Sequence, residues 1–209
     1  MRYQPQGRAR PVAGLSAIAY VMSNGTADVF GRAAPLALFS NPEVVPSTFG
    51  LARNFQAVDS RYATAKPPAG FLNFNEPFAI VLAFTMDDLL STPRLYNYGD
   101  GAKQMQLFIG TSTGRAGFIC SSSTTASSNI ASHEVLAAGI PYVIVAGFDG
   151  QAYFMSINGI TQSGAVITGI SNPVVSTTIN IGRRQANVSY ASGRIALFAH
   201  INGKVDANS

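Results

Sequence analysis

Tryptophan is absent from this sequence and cysteine occurs once, as Cys120. A lone cysteine closes no internal disulfide and leaves a zinc knuckle without its second thiolate, so an oxidising compartment is not required. Charge is scarce too: 11% of residues are charged and 47% are hydrophobic, against about 25% charged in an average soluble chain. No block of five like charges occurs. This composition excludes disorder, a coiled coil and a long basic tract for nucleic acid. No run approaches the roughly 18 apolar residues of a membrane helix, so a soluble chain with no membrane partner is expected. Residues 12–22 follow three arginines as a secretory leader would, but Gly14, Ser16 and Ala19 dilute them and no A-x-A cleavage pattern follows.

What is present reads as one β-domain. A length of 209 residues suits a single domain with a sizeable core. Arg2, Arg8 and Arg10 stand in the first ten residues without an acid, which leaves 11 basic and 10 acidic residues in a nearly neutral body. Asn24-Gly25, Asp100-Gly101, Asp149-Gly150, Asn158-Gly159 and Asn202-Gly203 are hairpin signals, because these pairs tolerate the positive φ of tight turns. Tyr153, Met155 and Ile157 alternate as on a strand with one buried face, and so do Ile195, Leu197, Ala199 and Ile201. The continuous apolar runs at 80–84 and 142–146 suit strands in the centre of a sandwich. Helical periodicity is nearly absent; the best helix candidate, 132–138, is one or two turns at most and would be stopped by Gly139-Ile140-Pro141. Stretches 41–47, 66–70 and 121–132 read as long loops. Residues 1–11 form an extended arm with too little apolar surface to fold alone, and residues 12–209 a single sandwich domain.

In order along residues 14–201, the landmarks resemble the concanavalin A-like jelly rolls of the laminin G type. Residues 14–20 are similar to the opening strand of that family and Asp28-Val29-Phe30-Gly31-Arg32 to its Asp-x-x-Gly turn. Residues 49–55 with Asp59 and Tyr62, the core run 77–84, the strand 139–145, the hairpin Phe148-Asp149-Gly150 with 153–159, residues 179–182 and residues 192–196 follow in family order. The usual tryptophans are replaced by Phe84 and Tyr142, which keep a large ring in the core. The resemblance implies an all-β fold, an antiparallel two-sheet β-sandwich, in a family that includes glycoside hydrolases and whose common cofactor is calcium.

The chemistry-bearing residues are few. A glycosidase needs two carboxyl groups flanking the scissile bond. Glu43, Glu76 and Glu134 are isolated, and adjacent Asp87 and Asp88 would project to opposite sides of a strand. His133 and His200 have no visible nucleophile, and Gly-x-Ser-x-Gly is absent. No catalytic residue is assigned and no enzyme is expected. Asp28, Asp59 and Asp100 are scattered calcium candidates without a dense acidic loop, so no cofactor and no metal ligand is assigned. Sugar binding wants an aromatic platform beside hydrogen-bonding groups. Tyr96, Asn97, Tyr98 and Asp100 supply these in one segment and form the candidate glycan site; the alternative for the same segment is a core strand ending in the Asp100-Gly101 hairpin, one tyrosine in and one out. Arg183-Arg184 is a basic pair, enough for an acidic protein surface and thin for a duplex, so nucleic acid is not expected as a partner.

Low charge, abundant small polar residues, no leader and no catalytic set lead to the expectation of a non-enzymatic virion structural protein, a phage decoration, head-fibre or tail component. It would be assembled in the host cytoplasm, homo-oligomeric, and docked to other virion proteins through Arg2, Arg8 and Arg10 of the arm. The second expectation is a carbohydrate-binding module for adhesion to host-surface glycan.

Overall fold

The computed structural model describes residues 16–22, 25–71, 76–89, 92–100, 103–121, 127–163, 178–184 and 190–203. Among them every regular element is a strand. The arm with Arg2, Arg8 and Arg10, and Asn24 and Gly101 of two hairpin signals, lie outside the described residues.

Two antiparallel sheets make the body. The first contains β1 (Ser16–Val21), β3 (Glu43–Ser47), β4 (Gly50–Phe55), β6 (Phe78–Met86), β11 (Pro141–Phe148), β12 (Tyr153–Ile157), β13 (Ile160–Ser163) and β15 (Gly193–Asn202). Its order is β13-β12-β11-β6-β15-β4-β3, and β1 pairs with the far half of β15, Ser16 opposite Asn202. The second contains β2 (Ala37–Phe39), β5 (Tyr62–Ala65), β7 (Arg94–Asp100), β8 (Lys103–Ile109), β9 (Arg115–Ser121), β10 (Ser127–Val135) and β14 (Ile179–Ile181), in the order β10-β9-β8-β7-β14-β5-β2. The sandwich inferred from the sequence is the fold observed.

Between the sheets lies one apolar core. Alternate residues of β6 (Phe78, Ile80, Leu82, Phe84 and Met86) enter it from the first sheet. Tyr96, Tyr98, Met105, Leu107, Phe118 and Ile181 enter it from the second. The β6 residues turned the other way include Ala79 and Ala83, and Ala83 packs with Ala52 and Ala196 in a small outer cluster. That fits the apolar run at 80–84: Ile80, Leu82 and Phe84 face the core, while Ala83 is shielded on the outer side by neighbours in its own sheet. Gly147 of β11 is dictated by the same close pairing, since a Cβ there would sit 2.0 Å from the Phe78 carbonyl oxygen. The Asn158-Gly159 turn joins β12 to β13 with φ of 48° and 84°, the positive pair a two-residue hairpin requires.

The structure corrects four local expectations. No helix forms at 132–138. Residues 132–135 belong to β10, which is irregular between Ala131 and Val135. Across from it, Arg115 Nη1 donates to the carbonyls of Ser132 and His133, and the Ser132 hydroxyl accepts from Ala116 N–H at 3.0 Å. These partners from β9 satisfy the groups a helix would have satisfied within itself. Residues 43–47 and 127–132 are strand, where long loops were expected. The phase of β15 also differs: a register shift between Ile195 and Leu197 places Ala196 and Leu197 together on the outer side, so Phe198 takes the core position. Lastly, Tyr96 and Tyr98 both face inward, as residues two apart on a strand must.

Candidate functional site

The segment singled out in the sequence is divided by its strand. Tyr96 is 0% exposed and Tyr98 5% exposed, and the Tyr96 ring stacks on Phe198 at 6.0 Å between centroids. Neither ring is offered to solvent. The Tyr96 hydroxyl has no hydrogen-bond partner among the described residues, and burial, then Tyr98 and Cys120, push its pKa well above the usual tyrosine range. Asn97 points the opposite way, to the face of the second sheet turned away from the core. Asp100 pairs with Lys103 at the β7–β8 hairpin, and its side chain lies outside the described residues.

On that outer face, register lines up a row of polar side chains. Thr64 of β5 lies opposite Asn180 of β14, Asn180 opposite Asn97 of β7, and Asn97 opposite Gln106 of β8, and of these Asn180, Asn97 and Gln106 are buried. The Gln106 amide donates to the Gln104 side chain. At one end of this row stand rings and guanidinium groups. Phe39 stacks on Tyr62 at 4.2 Å with the planes 5° apart, and Tyr190 tilts toward Tyr62 at 6.2 Å. Phe39 is 40% exposed. Arg183 lies over the other neighbourhood of Tyr62, 3.8 Å from the ring centroid, and donates to Asn180 Oδ1 at 3.4 Å. Arg94, at the start of β7, lies 4.5 Å above the Phe108 ring. Arg184 completes the group.

Local geometry makes this convergence. Gly182 N–H donates to the Leu95 carbonyl at 3.2 Å, carrying the pairing of β14 with β7 one residue past the strand and bringing Arg183-Arg184 level with Arg94. Gly182 has φ of +80°, and its α-carbon passes so close to Phe55 that a Cβ would lie 2.7 Å from the ring. Tyr190 bridges back to Arg183, so the chain returns over the same corner. Burial, and then the charge of Arg184, lower the Arg94 pKa to about 10, which leaves the group charged at neutral pH. By contrast Arg61, one strand away, is neutralised by Asp59 at 3.1 Å and Glu43 at 3.9 Å.

The exposed face of Phe39 can pack against an apolar ring, and the guanidinium forks can bind hydroxyls or an anion. Of these residues, Arg183-Arg184 and Asn97 stand out in the sequence. The sequence carried no signal that Arg94, Phe39 and Tyr62 would join them, because three different strands bring them in.

The remaining candidates are structural in their contacts. The Asp28 carboxylate accepts from the N–H groups of Ala19 at 2.8 Å, Arg32 at 2.7 Å and Ala33 at 3.0 Å, closing the Asp-x-x-Gly turn against β1. Asp87 pairs with Arg194 at 3.1 Å. Among the described residues no three of His, Cys, Asp or Glu gather as metal ligands. Cys120 is buried, and burial raises its thiol pKa to about 11. His200 is buried between Phe71 and Phe78, each 5.6 Å from it by ring centroid.

No protein-family model matches the sequence, and no curated protein is similar to it in sequence. Solved structures are similar in fold. Domain 4 of AbnA, a GH43 extracellular arabinanase from Geobacillus stearothermophilus, in complex with arabinotriose, superposes with a TM-score of 0.72 at 13% identity, covering 91% of this chain and 93% of that domain. A botulinum neurotoxin type C structure, from work on cell entry dependent upon two ganglioside molecules, gives 0.72 at 10% identity over 92% of this chain and 49% of that one. The binding domain of botulinum neurotoxin DC in complex with rat synaptotagmin II gives 0.73 at 12% identity, again over 92% and 49%. The chain thus spans about half the length of the neurotoxin chains it matches. At such identities the likeness is one of fold: this chain is an antiparallel two-sheet β-sandwich of the kind those domains contain.

Proposed function

We propose that this chain is a carbohydrate-binding domain that holds its ligand on the outer face of the second sheet and carries out no reaction on it. The observation that carries this reading is the exposed Phe39 ring stacked on Tyr62 beside the guanidinium groups of Arg183 and Arg94. Aromatic faces take the apolar side of a pyranose or furanose ring, and guanidinium N–H groups pair with its hydroxyls. The fold shared with an arabinanase domain solved with arabinotriose adds support. The scattered carboxylates support the absence of a hydrolytic pair. The virion structural role expected first rests on an arm outside the described residues, and nothing in the described fold favours it.

Calorimetric titration against a panel of soluble oligosaccharides, arabinotriose included, tests the proposal. Phe39→Ala, at an exposed ring, and Tyr62→Ala should each weaken binding by about tenfold or more, or about 1.4 kcal/mol. Unchanged affinity in both folded variants would overturn this placement of the site.

A further inference from the structure

We infer that the ligand of this face carries a carboxylate, and that Arg94, Arg183 and Arg184 receive it; the inference rests on the carbohydrate reading above. Three arginines converge at one corner of the second sheet, two from the end of β14 and one from the start of β7. Among the described residues none of the three has a carboxylate within ion-pair distance, whereas Arg61 has two and Arg194 has one. The side chains outside the described ones include two acids, Asp100 and Asp206. Arg94 Nε and Nη1, Arg183 Nε and Arg184 Nε are moreover shielded from solvent and find no acceptor among the described residues.

Buried guanidinium N–H groups are strong donors that require acceptors, and their planar fork matches a carboxylate through two parallel bonds. A protein that merely wanted solubility would leave these charges in water, and one that wanted stability would pair them as it pairs Arg61. Gathering them unpaired raises a repulsion that an anion relieves, which is the mark of a site poised for a negative ligand. The rings identify what else the ligand has. Tyr62 lies under Arg183 at 3.8 Å and carries Phe39 on its other side at 4.2 Å. A flat apolar ring face beside a carboxylate pocket suits an acidic sugar, such as a uronic acid residue. Nucleic acid would call for a basic track along many phosphates, and three arginines at one corner do not make a track.

The experiment compares an oligogalacturonide, its fully methyl-esterified counterpart, a neutral arabino-oligosaccharide and a short oligothymidylate, by calorimetric titration on the intact chain at low and at about 0.15 M salt. The acid should bind at least about tenfold tighter than its ester, with the advantage shrinking as salt rises. In Arg94→Gln and Arg184→Gln the ratio of acid to ester affinity should fall to within about twofold. Arg184→Lys, which keeps the charge and loses the fork, should retain only part of it. Urea midpoints establish that each variant is folded. Equal binding of acid and ester, or of the neutral sugar alone, would overturn the carboxylate inference and leave the carbohydrate reading standing. Binding of oligothymidylate without any sugar would overturn both, as would binding of nothing.

Discussion

Acidification should destabilise this sandwich through His200. The imidazole lies wholly inside the core, with Phe78 stacked on it at 11° and Phe71 edge-on at 62°. It faces Ile18 of β1 and Ile80 of β6 in register. Burial lowers its pKa from 6.5 to about 4, while a hydrogen bond with Asn202 pulls weakly the other way. The fold therefore holds the neutral form, and between about pH 6.5 and 4 the unfolded chain binds a proton that the native chain does not. Stability is then fully present above 6.5 and is lost as pH falls toward 4. At about 1.36 kcal/mol per tenfold in proton affinity, the whole loss is about 3 kcal/mol, a large fraction of a typical domain's 5–15 kcal/mol. Urea unfolding followed by circular dichroism at steps from pH 7.5 to pH 4 would measure it. His200→Gln, which does not titrate, should flatten the curve over that interval, whatever its stability at pH 7.5. A wild-type curve already flat there, or one equally steep in the variant, would refute the assignment.

Four further outcomes are expected. Asp28→Ala removes the acceptor of three backbone N–H groups and should cost about 2–4 kcal/mol, measured by urea midpoint. Gly182→Ala combines φ of +80° with a Cβ 2.7 Å from the Phe55 ring and should cost about 2 kcal/mol or more by the same assay. Tyr96→Phe keeps the core ring and deletes a buried hydroxyl without a partner among the described residues; thermal unfolding should show a change within about 1 kcal/mol, and sugar affinity should not move. Cys120, buried with a pKa of about 11, should resist a disulfide reagent at pH 8 until denaturant is added.

Much of the scaffold could be read from the chain. Asn158-Gly159 and Asp149-Gly150 announced their turns because positive φ restricts the residue types that can sit there. The apolar run at 80–84 announced a strand in the centre of the sandwich. The misread elements depend on partners distant in sequence. The phase of β15 turns on a bulge that is defined only against β6, and alternation alone carried Ile195 onward to Leu197 when the structure turns to Phe198. The apparent helix at 132–138 is a strand because Arg115 supplies its carbonyls with donors from outside. The site was legible in one fragment, Arg183-Arg184, and illegible in the rest: Arg94 joins the pair through the β14–β7 register, and Tyr62 through the β14–β5 register. Tyr96-Asn97-Tyr98 has the composition of a sugar site, yet strand alternation commits both rings to the core.

The most direct test of the account is a two-dimensional NMR titration of the labelled chain with the tightest-binding oligosaccharide of the panel. Shift changes should gather on Phe39, Tyr62, Arg94, Asn97, Asn180 and Arg183, with the methyl groups of the core unmoved. Changes gathered instead on the outer face of the first sheet, around Ala83, Val143 and Leu197, would contradict it.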